Sequence, residues 1–422
     1  MRHLLFSALL LAQIGHLQAS DTLTVAQCRA LAVQNSPLQQ KKALAESIAA
    51  LQTRDLESNN LPRINVGGQA TWQSDVFGLP IKFPGVSIPK VPKDQYKLTL
   101  DANERIWDGN LDRTLKQQRN LERDISLAQT EVDAFQLREL VTDLFCKILL
   151  LQETEEVLLS AQTDLENRLK QAEASIREGV ALRTTADQIR IQMFKNDQQL
   201  VSTRADQKTL MELLALWIGR AQPDFALAAP TNKTALPMGI ADAPRPEYRL
   251  FTLQQQNLML NKDLLRQKLQ PRLDVFAQTG LGRPNPFNFF ASGFDPFLLL
   301  GIKASWTPID WGNRKRDAQV LDLQARNIDV QKVAFDQRLR ANLLKDQEDA
   351  LKYQSLLKQD DQIIALQTDI VQRADAQVKN GVMTATDYLT QLNILTQSQL
   401  TKKTHEVQGL QARELALAKR GE

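Results

Sequence analysis

Leu61-Pro62-Arg63-Ile64-Asn65-Val66 and Gln270-Pro271-Arg272-Leu273-Asp274-Val275 are one motif written twice, with Pro271 lying 209 residues after Pro62. Proline cannot continue a helix but tolerates the first position of a strand. Each motif closes a helical stretch that itself opens on a proline, in Ser36-Pro37-Leu38 and in Arg245-Pro246-Glu247, and these prolines are again 209 apart. A repeat of this length makes the unit, not the whole chain, the thing to interpret.

After each closing proline the sequence alternates with period two. Ile64, Val66, Gly68, Ala70 and Trp72 stand against Asn65, Gly67, Gln69, Thr71 and Gln73; Leu273, Val275 and Ala277 stand against Asp274 and Gln278, with Phe276 breaking the pattern. A second alternating segment follows in each copy, Tyr96, Leu98, Leu100, Ala102 and Ile106 in one, and Leu298, Leu300, Ile302, Ala304 and Trp306 in the other. The pattern predicts strands over 63–73, 95–107, 272–282 and 297–308. Strands of about ten residues, apolar on one face, fit a transmembrane barrel wall. A half-buried soluble hairpin alternates in the same way.

Both second strands run into a turn, Trp107-Asp108-Gly109-Asn110 and Asp310-Trp311-Gly312-Asn313, and then into stretches without glycine or proline over 110–178 and 313–380. Roughly 68 residues of helix would reach about 100 Å, far more than a compact domain uses. Each stretch ends at a glycine, Gly179 or Gly381, suited to a chain reversal. A second helical pattern returns from each. Leu151, Glu155, Leu158, Gln162, Leu165, Leu169, Ala172 and Ile176 are spaced alternately four and three. Tyr353, Leu357, Asp360, Ile364, Gln367, Val371, Ala374 and Val378 repeat them 202 residues on. This heptad seam predicts coiled-coil packing toward the hairpin tips.

The organisation read from these elements is a signal segment over 1–19, a first repeat over 20–218 with its tip near 179–185, an irregular connector over 219–244, and a second repeat over 245–422 with its tip near 381–386. The signal reading rests on Arg2, an apolar run from Leu4 to Ile14 and a cleavage region ending at Ala19. That run is too short to span a bilayer, and no later stretch is a candidate transmembrane helix. A secreted chain can still enter a membrane as a closed β-barrel. Four strands per chain are too few to close one, so several chains would share it.

Composition excludes other classes. Lys and Arg exceed Asp and Glu by only three, which gives no footprint for nucleic acid. Past the signal, His405 is the only histidine, and there is no glycine-rich phosphate loop and no acidic metal cluster; neither an enzyme nor a metal or other cofactor is expected. Cys28 and Cys146 either pair in an oxidising compartment or sit buried in helices. Trp72, Tyr96, Phe287, Phe289, Phe290, Phe294 and Phe297 read as an interfacial girdle or as loop packing, and Lys82, Lys90 and Lys93 as lipid-facing or solvated.

The chain resembles the TolC-like outer-membrane efflux proteins over nearly its whole mature length. The carriers are Leu23-Thr24-Val25-Ala26, Asn35-Ser36-Pro37, Arg245-Pro246-Glu247-Tyr248, the strand starts at Pro62 and Pro271, the turns Asp108-Gly109-Asn110 and Trp311-Gly312-Asn313-Arg314, and Gly381 followed by Asp387. Their order, occurring twice, is what is specific. The resemblance implies a mainly α fold with a transmembrane β part: a homotrimer with a twelve-stranded barrel in outer-membrane lipid and a coiled-coil α-barrel in the periplasm. It implies passive efflux, with a periplasmic adaptor and an inner-membrane transporter as partners. A periplasmic coiled-coil adaptor or pore-less structural protein is the alternative. The resemblance also places Asp387 in an acidic ring at the periplasmic entrance, though a helix N-terminal acid is an equal reading of that residue. Met383 stands where well-known members carry a latch arginine. Gly179, Val180, Arg183 and Thr185, with Gly381, Val382, Met383 and Thr384, form the tips expected to contact the adaptor; a plain helix-turn-helix loop would serve the same residues.

Overall fold

The structure, a computed structural model, describes residues 21–76, 91–179, 182–230, 245–288 and 293–420. The signal segment with its cleavage site, Val180, Ala181, Lys82, Lys90, Phe289 and Phe290 lie outside them. The elements run β1 (Asp21–Leu23), α1 (Val25–Asn35), α2 (Leu38–Ser58), β2 (Arg63–Trp72), β3 (Asp94–Trp107), α3 (Leu111–Arg177), α4 (Arg183–Ile218), β4 (Phe225–Leu227), α5 (Pro246–Gln267), β5 (Arg272–Arg283), β6 (Asp295–Ser305), α6 (Asn313–Lys379) and α7 (Ala385–Arg420). No described helix is long and apolar enough to cross a membrane.

The duplication is kept to the residue in the four long helices. α3 and α6 each have 67 residues and α4 and α7 each have 36, with every start and end 202 positions apart. That register begins at the caps. The Asp108 carboxylate accepts from the Asp112 amide at 2.7 Å, and Asp310, 202 residues on, accepts from the Gly312 and Arg314 amides, both at 3.0 Å. Both aspartates satisfy amides that a helix start leaves without partners. The tight turns between strand and helix put Gly109, Asn110, Trp311 and Gly312 at positive φ.

The chain divides into two compact units, and they are not the two repeats. One unit takes Gln40–Val132 and Pro246–Asp336; the other takes Met1–Gln39, Asp133–Arg245 and Gln337–Glu422. The boundaries fall inside α3 and α6, so each unit draws on both copies.

The first of these units holds a four-stranded antiparallel sheet in the order β2-β3-β5-β6. β6 stops at Ser305 rather than running to 308, because its last partner is Arg272 and the preceding Pro271 has no N–H to offer. Beside the sheet, Ala128, Val132 and Leu250 form a small core between α3 and α5, and Gln118 bonds Asn261 at 2.8 Å.

The second unit holds the larger core, where Cys28, Val141, Phe145, Ile148, Leu214 and Ile218 are almost wholly buried. Both cysteines are free thiols in this cluster, and burial pushes them up to about 11 for Cys28 and about 12 for Cys146. β1 pairs in parallel with β4, so the expected irregular connector contains a short strand at Phe225-Ala226-Leu227. Its apolar pair, Phe225 and Leu227, packs into the same core. Arg29 of α1 donates to the Thr142 hydroxyl at 2.8 Å and pairs with Glu414 of α7 at 3.1 Å, both nearly buried. Desolvation holds the Arg29 guanidinium below its ordinary pKa, and Glu414 opposes that shift.

Candidate functional site

The sheet register sorts the strand side chains onto two faces. Ile64 aligns with Ala102, Ala277 and Leu300, and Val66 aligns with Leu100, Thr279 and Leu298. This face is apolar yet open, with Val66 75% and Ile302 73% exposed. The opposite face carries Asn65, Asp101 and Gln278 in one row and Gln69 and Lys97 two rows on, with Gly67, Thr99, Gly280 and Phe297 between them. Gln278 donates to Asp101, and Lys97 donates to Gln278 at 3.3 Å. A contiguous exposed apolar face of this extent calls for something other than water to cover it.

Phe276, which broke the alternation, falls on the polar face opposite Gly301. A Cβ at Gly301 would come within 2.6 Å of the Phe276 ring, so the glycine makes room for it. The sequence pattern missed this pairing because it is a cross-strand relationship. The aromatic residues divide between the two readings. Tyr96 and Phe294 stack with ring centres 6.0 Å apart at the end of the apolar face, and Trp72 is exposed there. Phe297 instead lies on the polar face, buried beneath Phe287 at 5.9 Å and under the Lys97 ammonium. Lys93 donates to the Ser74 carbonyl.

The hairpin tips belong to the other unit. Gly179 and Gly381 have φ of +77° and +71°, and a side chain at either would meet nothing within 4 Å. The Gly381 turn is closed by the Val382 amide on the Gln377 carbonyl at 2.9 Å, with Gly381 bonded back to Val378. Val382 and Leu182 are exposed, as are Arg183 and Thr384, while Thr185 is half-buried. Thr386 of α7 donates to Gln188 of α4 at 2.8 Å, which brings the two tips side by side. Asp387 is exposed and closes a capping arrangement with Thr384: the Thr384 hydroxyl donates to its carboxylate at 2.7 Å and accepts from its amide at 3.2 Å. Met383 is half-buried and packs against the apolar cluster of Leu165, Ile189, Ala374, Tyr388, Leu389 and Leu392.

Behind the tips lies a constellation the sequence reading did not single out. Arg168 of α3 pairs with Asp375 of α6, and its guanidinium lies 4.1 Å from the ring centre of Tyr388 of α7. One residue thereby holds three helices. Arg168 and Asp375 each flank an apolar seam position, Leu169 and Ala374, where coiled coils place interhelical charge pairs. That spacing was the available signal.

No family model matches the sequence, and no curated protein does. Solved structures do. The outer-membrane channel OprN superposes with a TM-score of 0.71 at 15% identity, over 94% of this chain and 89% of that one. The Campylobacter jejuni CmeC outer membrane channel gives 0.70 at 12%, over 94% and 85%. The open state of the Neisseria gonorrhoeae MtrE outer membrane channel gives 0.67 at 15%, over 93% and 88%. The chain therefore has the TolC-like fold of these outer-membrane channels, mainly α with a small β part, and the resemblance read from the duplicated motifs is confirmed at the level of fold.

Proposed function

We propose that this chain is the subunit of an outer-membrane efflux channel, a passive conduit rather than an enzyme. The observation that carries the reading is the four-stranded sheet: its apolar face is exposed, and β2 and β6 each keep an open edge. An open edge is not tolerated in lipid. Because the strands alternate in direction, β6 of one copy meets β2 of the next in the same antiparallel sense, and three copies close a twelve-stranded barrel. The polar face then lines the lumen and the apolar face meets lipid.

The trimer, the periplasmic placement of the helices, and docking of a periplasmic adaptor and an inner-membrane transporter at the tips belong to this proposal. So do the roles of Gly179, Val180, Arg183, Thr185, Gly381, Val382, Met383 and Thr384 as adaptor contacts and of Asp387 at the entrance. Support for the tips is their exposure together with the Thr386–Gln188 contact that joins them. The full-length chain is expected in the outer-membrane fraction as a trimer that dissociates on a gel only after heating. Recovery in the soluble periplasmic fraction would overturn the channel reading.

A further inference from the structure

A cavity of about 590 Å³ opens on the polar face of the sheet, between β2, β3 and the turn after β5. Its floor is set by the register: Gln69 opposes Lys97, Thr71 opposes Gln95, and Gln73 continues the same face beyond the last pair. Its wall is the segment that follows Arg283. A Cβ on Gly282 would come within 2.9 Å of the Pro284 carbonyl and of Pro286, so this turn lies directly against the face. Asn285 fixes the turn by donating to the Pro296 carbonyl at 3.1 Å and accepting from the Phe287 amide at 2.8 Å. The result is a shaped hollow of a size ordinary ligand pockets have.

The two cations at the cavity are already engaged. Arg283 pairs with Asp94 at 3.2 Å. Lys97 donates to Gln278, which in turn donates to Asp101, and the ammonium lies over the Phe297 ring. What the cavity offers beyond these pairs is neutral: the amides of Gln69, Gln73 and Gln95 and the hydroxyl of Thr71. Each amide presents an acceptor oxygen and two donor hydrogens, and the hydroxyl both donates and accepts. Groups of that kind match a ligand whose own polar atoms do both, which is the property of sugar hydroxyls and not of a simple ion. Val91, Pro284 and Pro286 supply its apolar surface.

We infer that this cavity is a binding site for neutral, polyhydroxylated solutes, of the saccharide class. It rests on the channel reading for its place inside the barrel mouth, and it deepens that reading by naming a class of solute the exit retains.

The test is calorimetric titration of maltotriose into the full-length protein held in lauryldimethylamine oxide, a detergent without sugar. Saturable binding is expected, at least tenfold weaker in the Gln73→Leu/Gln95→Leu double variant and unchanged in Gln118→Leu, whose amide lies elsewhere. The heat-dissociable trimer band checks that each variant is assembled. No binding of maltotriose, equal binding by the double variant, or tighter binding of benzoate or choline would overturn the site. The same preparations go into planar bilayers. Maltotriose binding without conductance leaves the site standing and sinks the channel; conductance without maltotriose binding does the reverse.

Discussion

Asp360 Oδ2 lies 2.6 Å from His405 Nδ1, and this pair occupies a seam position of α6 that a heptad normally fills with an apolar side chain. Asp360 is only 7% exposed. The other polar seam residues are treated the same way by the returning helices. Glu155 accepts from Arg204 at 2.6 Å, Gln162 from Asn196 at 2.9 Å, and Gln367 meets Gln391 at 3.1 Å. Each of the four polar seam residues thus has a polar partner, from the buried Asp360 to Glu155, whose partner Arg204 is exposed, and polar groups paired in this way favour one register of a helix pair over its neighbours.

Breaking one side of such a pair costs more than removing both. Asp360→Leu leaves the His405 ring without its partner and should destabilise the chain by about 1–3 kcal/mol. Asp360→Leu/His405→Leu should recover most of that loss, giving a non-additive cycle. Denaturant midpoints followed by circular dichroism in detergent read both. Strict additivity would show that the two side chains do not act as a unit.

These pairs also mark where sequence reading stopped. The seam over Leu165, Leu169, Ala172, Val371, Ala374 and Val378 was legible because one helix carries its own period, and these residues do pack against the returning helices. The partners Arg204, Asn196, His405 and Gln391 were not, since which residue of a returning helix faces a given seam position depends on the turn, and each copy intrudes at different positions. The strands were legible from alternation alone. Phe276 against Gly301 was not, because the relation runs across strands. Asp387 was legible as a candidate, but its capping contact with Thr384 is equally local and fits either reading.

Arg168 connects α3 to both Asp375 and Tyr388. Since α3 comes from the first repeat and α6 and α7 from the second, it ties one helical hairpin to the other. Arg168→Leu removes the ion pair and the ring contact together. If separation of the hairpins opens the periplasmic end, single-channel conductance should rise several-fold in this variant. Arg204→Leu, which cuts only a contact within one hairpin, should leave it unchanged. Equal conductance in wild type and Arg168→Leu would remove Arg168 from any latch.

Gly280 of β5 faces the backbone of β3: a Cβ there would fall 2.0 Å from the Leu98 carbonyl oxygen. The obstacle is backbone and cannot swing away, so Gly280→Ala must disturb the β3–β5 ladder. Gly179→Ala and Gly381→Ala meet open space and carry only the strain of positive φ, roughly 1 kcal/mol. The expected order is loss of the heat-dissociable trimer for Gly280→Ala and its retention for both tip variants. A normal trimer band from Gly280→Ala would contradict the register.

Two aspartates at helix starts should respond to acid with opposite signs. The Arg314 amide, followed by that of Gly312, holds the Asp310 carboxyl below its ordinary pKa. Its stabilisation is therefore complete above the unfolded-state pKa and is lost as pH falls through the lower folded value. Burial, reinforced by Asp108, raises the Asp112 carboxyl. Its charge therefore costs stability at neutral pH, and that cost disappears as pH falls through the raised value. Asp310→Ala should lower the thermal midpoint at pH 7 and converge with wild type in strong acid; Asp112→Asn should raise it at pH 7 and converge likewise. Shifts of the same sign in both variants would contradict the assignment.

Asp387 admits a test that separates its two roles. As a cap it accepts the Thr384 hydroxyl proton, and the Thr384 hydroxyl accepts its amide. Thr384→Ala should cost about 1 kcal/mol of hairpin stability and leave ion preference alone. Asp387→Asn keeps an acceptor oxygen for Thr384 but removes the charge. If three copies place this carboxylate at the entrance as proposed, cation preference, read as reversal potential in a potassium chloride gradient, should fall toward neutrality. A lower midpoint with an unchanged reversal potential would make Asp387 a capping residue and nothing more.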